Sequence, residues 1–172
     1  MNEAFIFNYE FDKDTLLSLW NSKYIHNTET YDDPRIDDYI KRPEFIAQYG
    51  HWSKDVWKIA HAEVDEYTKY LCDYFDINAK PRFYMLKANQ VLPHHIDNDT
   101  ECAINFILSD DAAPITFQAT DNTYHYRTAL LNTSLWHGVW NGPKDRILFK
   151  LSIFDEPFEI VKEKISKKLG TQ

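Results

Sequence analysis

Glycine is scarce, at 4 of 172 residues, and 7 prolines add little, so collagen-like and low-complexity classes are excluded. Cysteine is scarcer still. Cys72 and Cys102 stand 30 residues apart, too far for a CxxC pair and too few for a disulfide framework, and they read as buried free thiols. Basic residues are outnumbered, 19 Lys and Arg against 27 Asp and Glu, for a formal charge of -8. That balance argues against nucleic acid or an anionic membrane as a partner, because neutralising phosphates takes clustered cations. No run approaches the ~20 apolar residues of a membrane span. The opening MNEAFIFNYEFDKD has neither a basic stretch followed by an apolar one nor a small-residue cleavage site. A soluble protein of a reducing cytoplasm is the expectation. Also missing are GxGxxG after a strand, GxxxxGK[ST], GxSxG and HExxH, which sets aside the nucleotide, α/β-hydrolase and zinc-protease chemistries tied to them.

What is present is apolar and aromatic: 44% hydrophobic and 16% aromatic residues suffice for one domain with a real core. Periodicity divides it near residue 80. Residues 4–9 (AFIFNY) read as a strand, and Asp12 or Asp14 can cap a helix over 15–23. Residues 26–44 carry two prolines and no clean period, which predicts a long loop and a candidate lid. Ser53 then stands before Val56, Ala60, Val64, Tyr67, Leu71 and Tyr74 or Phe75, a three- and four-residue spacing that predicts one long helix. From Pro81 the pattern changes to short segments rich in β-branched and aromatic residues: 82–88, 91–97, 102–108, 114–119, 123–128, 129–133, 135–140 and 146–154. Eight strands in about 75 residues suit a double-sheet jelly roll better than βαβ units. The tail FEIVKEKISKKL (158–169) reads as a helix with lysines toward its C-terminus. The expected fold is therefore mainly β with flanking helices: a helical flank and loop over 1–80, a jelly-roll core over 81–155, and a C-terminal helix over 156–172.

One constellation on this scaffold carries chemistry. His95 and Asp97 are two apart at the end of the second barrel strand, so their side chains share a face while Ile96 turns away. His137 lies in the seventh strand, which neighbours the second in a double-stranded β-helix. Two imidazoles and one carboxylate are the ligand set of a facial triad for iron(II). Arg146, nine residues after His137 across a tight NGPK connection, offers a fork for a carboxylate co-substrate. His94 points to the opposite face from His95 and reads as a surface or second-layer residue, with the outer rim as the alternative, and His125 reads as a core or substrate-wall residue.

The segments LPHHID (92–97), LLNTSLWHGVWN (130–141) and DRILFKLSIF (145–154) resemble those of the iron(II)- and 2-oxoglutarate-dependent dioxygenases. The HGVxN pattern is most similar to the aspartyl/asparaginyl β-hydroxylase-like and prolyl-hydroxylase-like branches. The resemblance covers about the last 75 residues of the barrel. It implies His95, Asp97 and His137 as iron ligands and Arg146 on the distal carboxylate of 2-oxoglutarate. Tyr84 on the first barrel strand and Asn105 on the third are its further candidates for co-substrate contacts. The implied activity is hydroxylation of an amino acid, peptide or protein side chain with dioxygen, releasing succinate and CO2. Two rivals differ in class: a cupin-like module that binds a metal or small acid without turnover, and an assembly protein whose polar cluster satisfies itself.

Overall fold

The computed structural model describes residues 2–30, 34–62, 65–110 and 112–171. In chain order the elements are β1 (Ala4–Ile6), α1 (Lys13–Ser22), β2 (Glu29–Thr30), α2 (Pro34–Tyr39), α3 (Pro43–Tyr49), β3 (Trp57–His61) and α4 (Glu66–Phe75). The eight barrel strands follow: β4 (Ala79–Leu86), β5 (Val91–His95), β6 (Cys102–Ile107), β7 (Ile115–Phe117), β8 (Thr123–Tyr124), β9 (Thr128–Leu131), β10 (His137–Trp140) and β11 (Arg146–Ile153). Helix α5 (Phe158–Leu169) closes the chain. One sheet runs β1-β9-β6-β11-β4-β3-β2 and the other β5-β10-β7-β8, with antiparallel pairing throughout the described strands. This is the jelly roll expected from the sequence, with the second barrel strand, β5, beside the seventh, β10.

The larger sheet is buried on both faces, which is why its strands read as continuous apolar runs. Leu148, Tyr84, Leu86, Ile107 and Leu131 face the smaller sheet and form the inner core with Phe117 and Val139. Phe83, Phe106, Phe149 and Leu151 point the other way, against Trp20 of α1, Leu71 and Phe75 of α4, and Val161 and Ile165 of α5. Across the rim, the buried Glu3 carboxylate accepts hydrogen bonds from Thr120, Asn122 and Tyr124, tying the start of the chain to the β7–β8 hairpin.

Two segments differ from expectation. The single helix anticipated after Ser53 is instead a short 3-10 turn (Lys54–Val56), the strand β3 and then α4; Val64 lies outside the described residues. β3 is covered on both faces, Trp57 and Ile59 inward and Ala60 outward, so its apolar positions imitate a helical stripe. The true helix start is Asp65, whose side chain accepts from the Thr68 N–H while the Thr68 hydroxyl accepts from the Asp65 N–H. The 26–44 segment, read as a loop, holds α2 and the start of α3 as well as β2. Its prolines, Pro34 and Pro43, sit at the first position of each helix, where a missing N–H costs nothing. Residues 31–33 of the candidate lid lie outside the described residues. The 1–80 flank thus supplies three strands of the larger sheet as well as helices. No helix among the described residues is long and apolar enough to cross a membrane.

Candidate metal centre

The cross-strand pairing of β10 with β5 sets His137 directly opposite His95. β5 ends at His95, two residues earlier than the sequence pattern implied, but the Asp97 N–H still donates to the Thr133 carbonyl at 3.0 Å. That bond keeps the Asp97 side chain on the same side as His95. One ligand atom from each of His95, Asp97 and His137 lies within 4.8 Å of the others. Asp97 Oδ1 is 3.4 Å from His95 Nε2 and 3.8 Å from His137 Nε2, and the two imidazole centroids are 4.5 Å apart.

Proton placement makes this cluster informative. His95 Nδ1 is 2.8 Å from the Pro93 carbonyl, and His137 Nδ1 is 2.8 Å from the Leu135 carbonyl. A carbonyl only accepts, so each Nδ1 carries a proton and each ring turns its Nε2 toward Asp97. Burial pushes the His137 imidazole down to about 3, with the neighbouring His95 adding to the effect against the attraction of Asp97. Burial alone would raise the Asp97 carboxyl; Lys150 and the two imidazoles outweigh it and hold the group well below the usual carboxylate range. Three atoms able to ligate a metal therefore face one another, an arrangement that a divalent cation satisfies.

Lys150 is a functional candidate that sequence reasoning missed. Its ammonium is buried and bonded to Asp97 Oδ2, leaving Oδ1 turned toward the imidazoles. The signal was present in RILFKLSIF: alternation puts Arg146, Leu148 and Lys150 on one face of β11, so a lysine stands in an otherwise inward-facing row. Beyond it, the Tyr84 ring lies 5.2 Å from the Lys150 ammonium and 5.7 Å from the Trp57 ring.

Arg146 opens β11 and is buried. Its Nε donates to the Ala113 carbonyl at 3.3 Å and its Nη2 to the Tyr126 hydroxyl at 3.0 Å. Asn105 Nδ2 donates to the same hydroxyl at 3.0 Å. Tyr126, also missed, thus joins two residues that the sequence had singled out separately. Arg146, Asn105, Tyr126 and the triad line one inner chamber of about 40 Å³. Asn105 Oδ1 and Thr133 Oγ1 are buried in it without hydrogen-bond partners, an open demand for a polar ligand. An outer cavity of about 260 Å³ opens over His95 and Asp97, with Tyr84 and Lys150 shared between the two. Arg35, Ile36 and Tyr39 of α2 wall it, so the candidate lid does border the site.

His94 faces away from the triad, as expected, but is buried: its Nδ1 lies 3.0 Å from the Tyr49 hydroxyl and its ring packs edge-on to Trp140. His125 is exposed rather than a core or wall residue.

No protein-family model matches the chain, and a search of curated proteins finds no match. Solved structures are similar in fold. A prolyl-4-hydroxylase from Pseudomonas putida superposes with a TM-score of 0.58 at 9% identity, over 90% of this chain and 94% of the other. A viral collagen prolyl hydroxylase from Paramecium bursaria Chlorella virus-1, in its 2-oxoglutarate complex, gives 0.48 at 11% identity, over 88% and 95%. A cupin protein from Desulfovibrio desulfuricans gives 0.41 at 16% identity, over 59% and 85%. At such identities the first likeness speaks for the architecture, and the chemistry has to be argued from this chain's own residues.

Proposed function

We propose that this protein is a single-domain iron(II)- and 2-oxoglutarate-dependent dioxygenase that hydroxylates an amino acid, a peptide or a protein side chain. The observation that carries this reading is the convergence of His95 Nε2, His137 Nε2 and Asp97 Oδ1 on one point, with a buried arginine in the adjoining chamber. In this reading those three residues hold iron(II). Together with 2-oxoglutarate, the metal supplies oxygen activation: R–H, dioxygen and 2-oxoglutarate become R–OH, succinate and CO2. The rest of the task belongs to the chain. Arg146 pairs the distal carboxylate of the co-substrate, with the Tyr126 hydroxyl fixing the plane of its guanidinium and Asn105 steadying that hydroxyl. Lys150 keeps Asp97 ionised and occupies its second oxygen, so the other stays aimed at the metal position. Leu131, Val139 and Leu148 keep bulk water from the chamber.

Anaerobic addition of iron(II) and 2-oxoglutarate to the purified protein tests the reading. A weak visible charge-transfer band should appear, and admission of air should yield succinate. His137→Ala should lose both. Tyr126→Phe and Arg146→Ala should retain iron but need on the order of ten times more 2-oxoglutarate to develop the band, the loss expected for one charge-assisted hydrogen bond. A wild-type protein that binds iron without any band overturns the co-substrate assignment.

A further inference from the structure

One cation at this site has no counter-ion. Arg82 faces the outer cavity from β4, and its Nε is buried without a hydrogen-bond partner. Its guanidinium forms no ion pair among the described residues; its contact is with the Phe154 ring, 5.9 Å from centroid to Cζ. In the β4–β11 register Arg82 stands directly opposite Lys150, so two positive charges meet across one strand pair. Lys150 already has Asp97, the one carboxylate among the described residues that line the cavity. In a chain whose formal charge is -8, a cation-rich hollow with an unanswered guanidinium is a selective feature.

Position separates this arginine from the one assigned to the co-substrate. Arg146 pairs with Leu86 at one end of the β4–β11 ladder and Arg82 with Lys150 four residues along. At ~3.3 Å per residue the two backbones are about 13 Å apart. The wall beside Arg82 is apolar and aromatic: Tyr39, Trp57, Tyr84, Trp136 and Ile96. Ile96 and Trp136 remain 41% and 46% exposed.

We propose that the outer cavity binds a small substrate with an anionic group, carboxylate or phosphate, beside an apolar or aromatic body, and that Arg82 holds the anion. This rests on the oxygenase reading for what is done to the ligand, but not for how it is bound. Arg82 fixes the charged end at the rim, the aromatic wall takes the body, and the far end of the molecule is presented to the triad. The volume of about 260 Å³ suits a molecule the size of an amino acid derivative.

The test uses the full chain loaded with cobalt(II), whose visible absorption reports the triad, and four probes: N-acetylphenylalanine, its uncharged amide, phenyl phosphate and benzyl alcohol. Calorimetry should give at least tenfold tighter binding of one of the two anions than of its neutral counterpart, the amide for the carboxylate and the alcohol for the phosphate. The preferred anion tells carboxylate from phosphate. Arg82→Gln should erase the preference while leaving the cobalt absorption unchanged, and Arg82→Lys should keep a reduced preference. Saturating 2-oxoglutarate should leave anion binding in place. Equal affinity for charged and neutral probes, no binding of any probe, or a preference that survives Arg82→Gln overturns the proposal. Displacement of the anion by 2-oxoglutarate also overturns it, since Arg82 would then belong to the co-substrate chamber. Failure to take up cobalt instead counts against the metal reading and leaves the charge preference to be judged by the same probes.

Discussion

At the scale of single residues, the site is built on a histidine that stays neutral. The His137 imidazole is depressed to about 3 in the folded protein and titrates near 6.5 when unfolded. Between those values the unfolded chain binds more protons, so folding stability falls as pH is lowered from about 6.5 toward 3, with a slope approaching ~1.4 kcal/mol per pH unit. The depressed Asp97 carboxyl adds a loss of the same sign below the unfolded value of about 3.9. Urea titrations of metal-free protein between pH 7 and 4 should record this decline, and His137→Gln should flatten it; an unchanged slope in the variant refutes the assignment. His95 and Asp97 were legible as a pair because two-residue spacing fixes a shared face whatever the rest of the chain does, whereas His137 was placed beside them only through the strand order of a double-stranded β-helix. Lys150, Tyr126 and Arg82 were harder to assign. What each does depends on a residue remote in sequence that the folded sheets bring to it, Asp97 for Lys150 and Arg146 for Tyr126, and such a meeting is not written in local spacing.

At the scale of elements, the approach of β10 to β5 sets His137 against His95. A Cβ on Gly138 would lie 2.8 Å from the Leu92 carbonyl oxygen and 3.1 Å from the His94 backbone nitrogen, at the point where the register shifts between His137 and Val139. Gly138→Ala therefore has to push the strands apart next to His137. Cobalt affinity should fall tenfold or more. Gly142, with nothing within 4 Å of its would-be Cβ, provides the control: Gly142→Ala should leave that affinity unchanged. The eight barrel strands and α5 were recoverable from alternation and turn residues. The stretch from 53 to 75 was not, because a strand covered on both sides and the turn before it can carry the same three- and four-residue spacing as an amphipathic helix. Prolines misled in the 26–44 segment for a related reason: the residue that ends one helix also begins the next.

At the scale of the whole molecule, one sheet serves two cores that do different work. Its outer face, under α1, α4 and α5, carries much of the apolar burial, and its inner face carries the site. Loss of packing on the outer side should therefore cost stability without altering the chemistry. Ile165→Ala, at a fully buried position of α5, should lower unfolding free energy by about 2–5 kcal/mol in urea. The 2-oxoglutarate concentration needed for the charge-transfer band should stay the same, and a parallel shift would mean that the two cores are coupled through the sheet. The edge of that sheet has a further implication for synthesis. β1 completes the larger sheet by pairing with β9, Ala4 against Leu131. A ribosome must make all of the chain between β1 and β9 before β1 has a neighbour to join, so this border of the larger sheet stays unsealed until β9 has emerged.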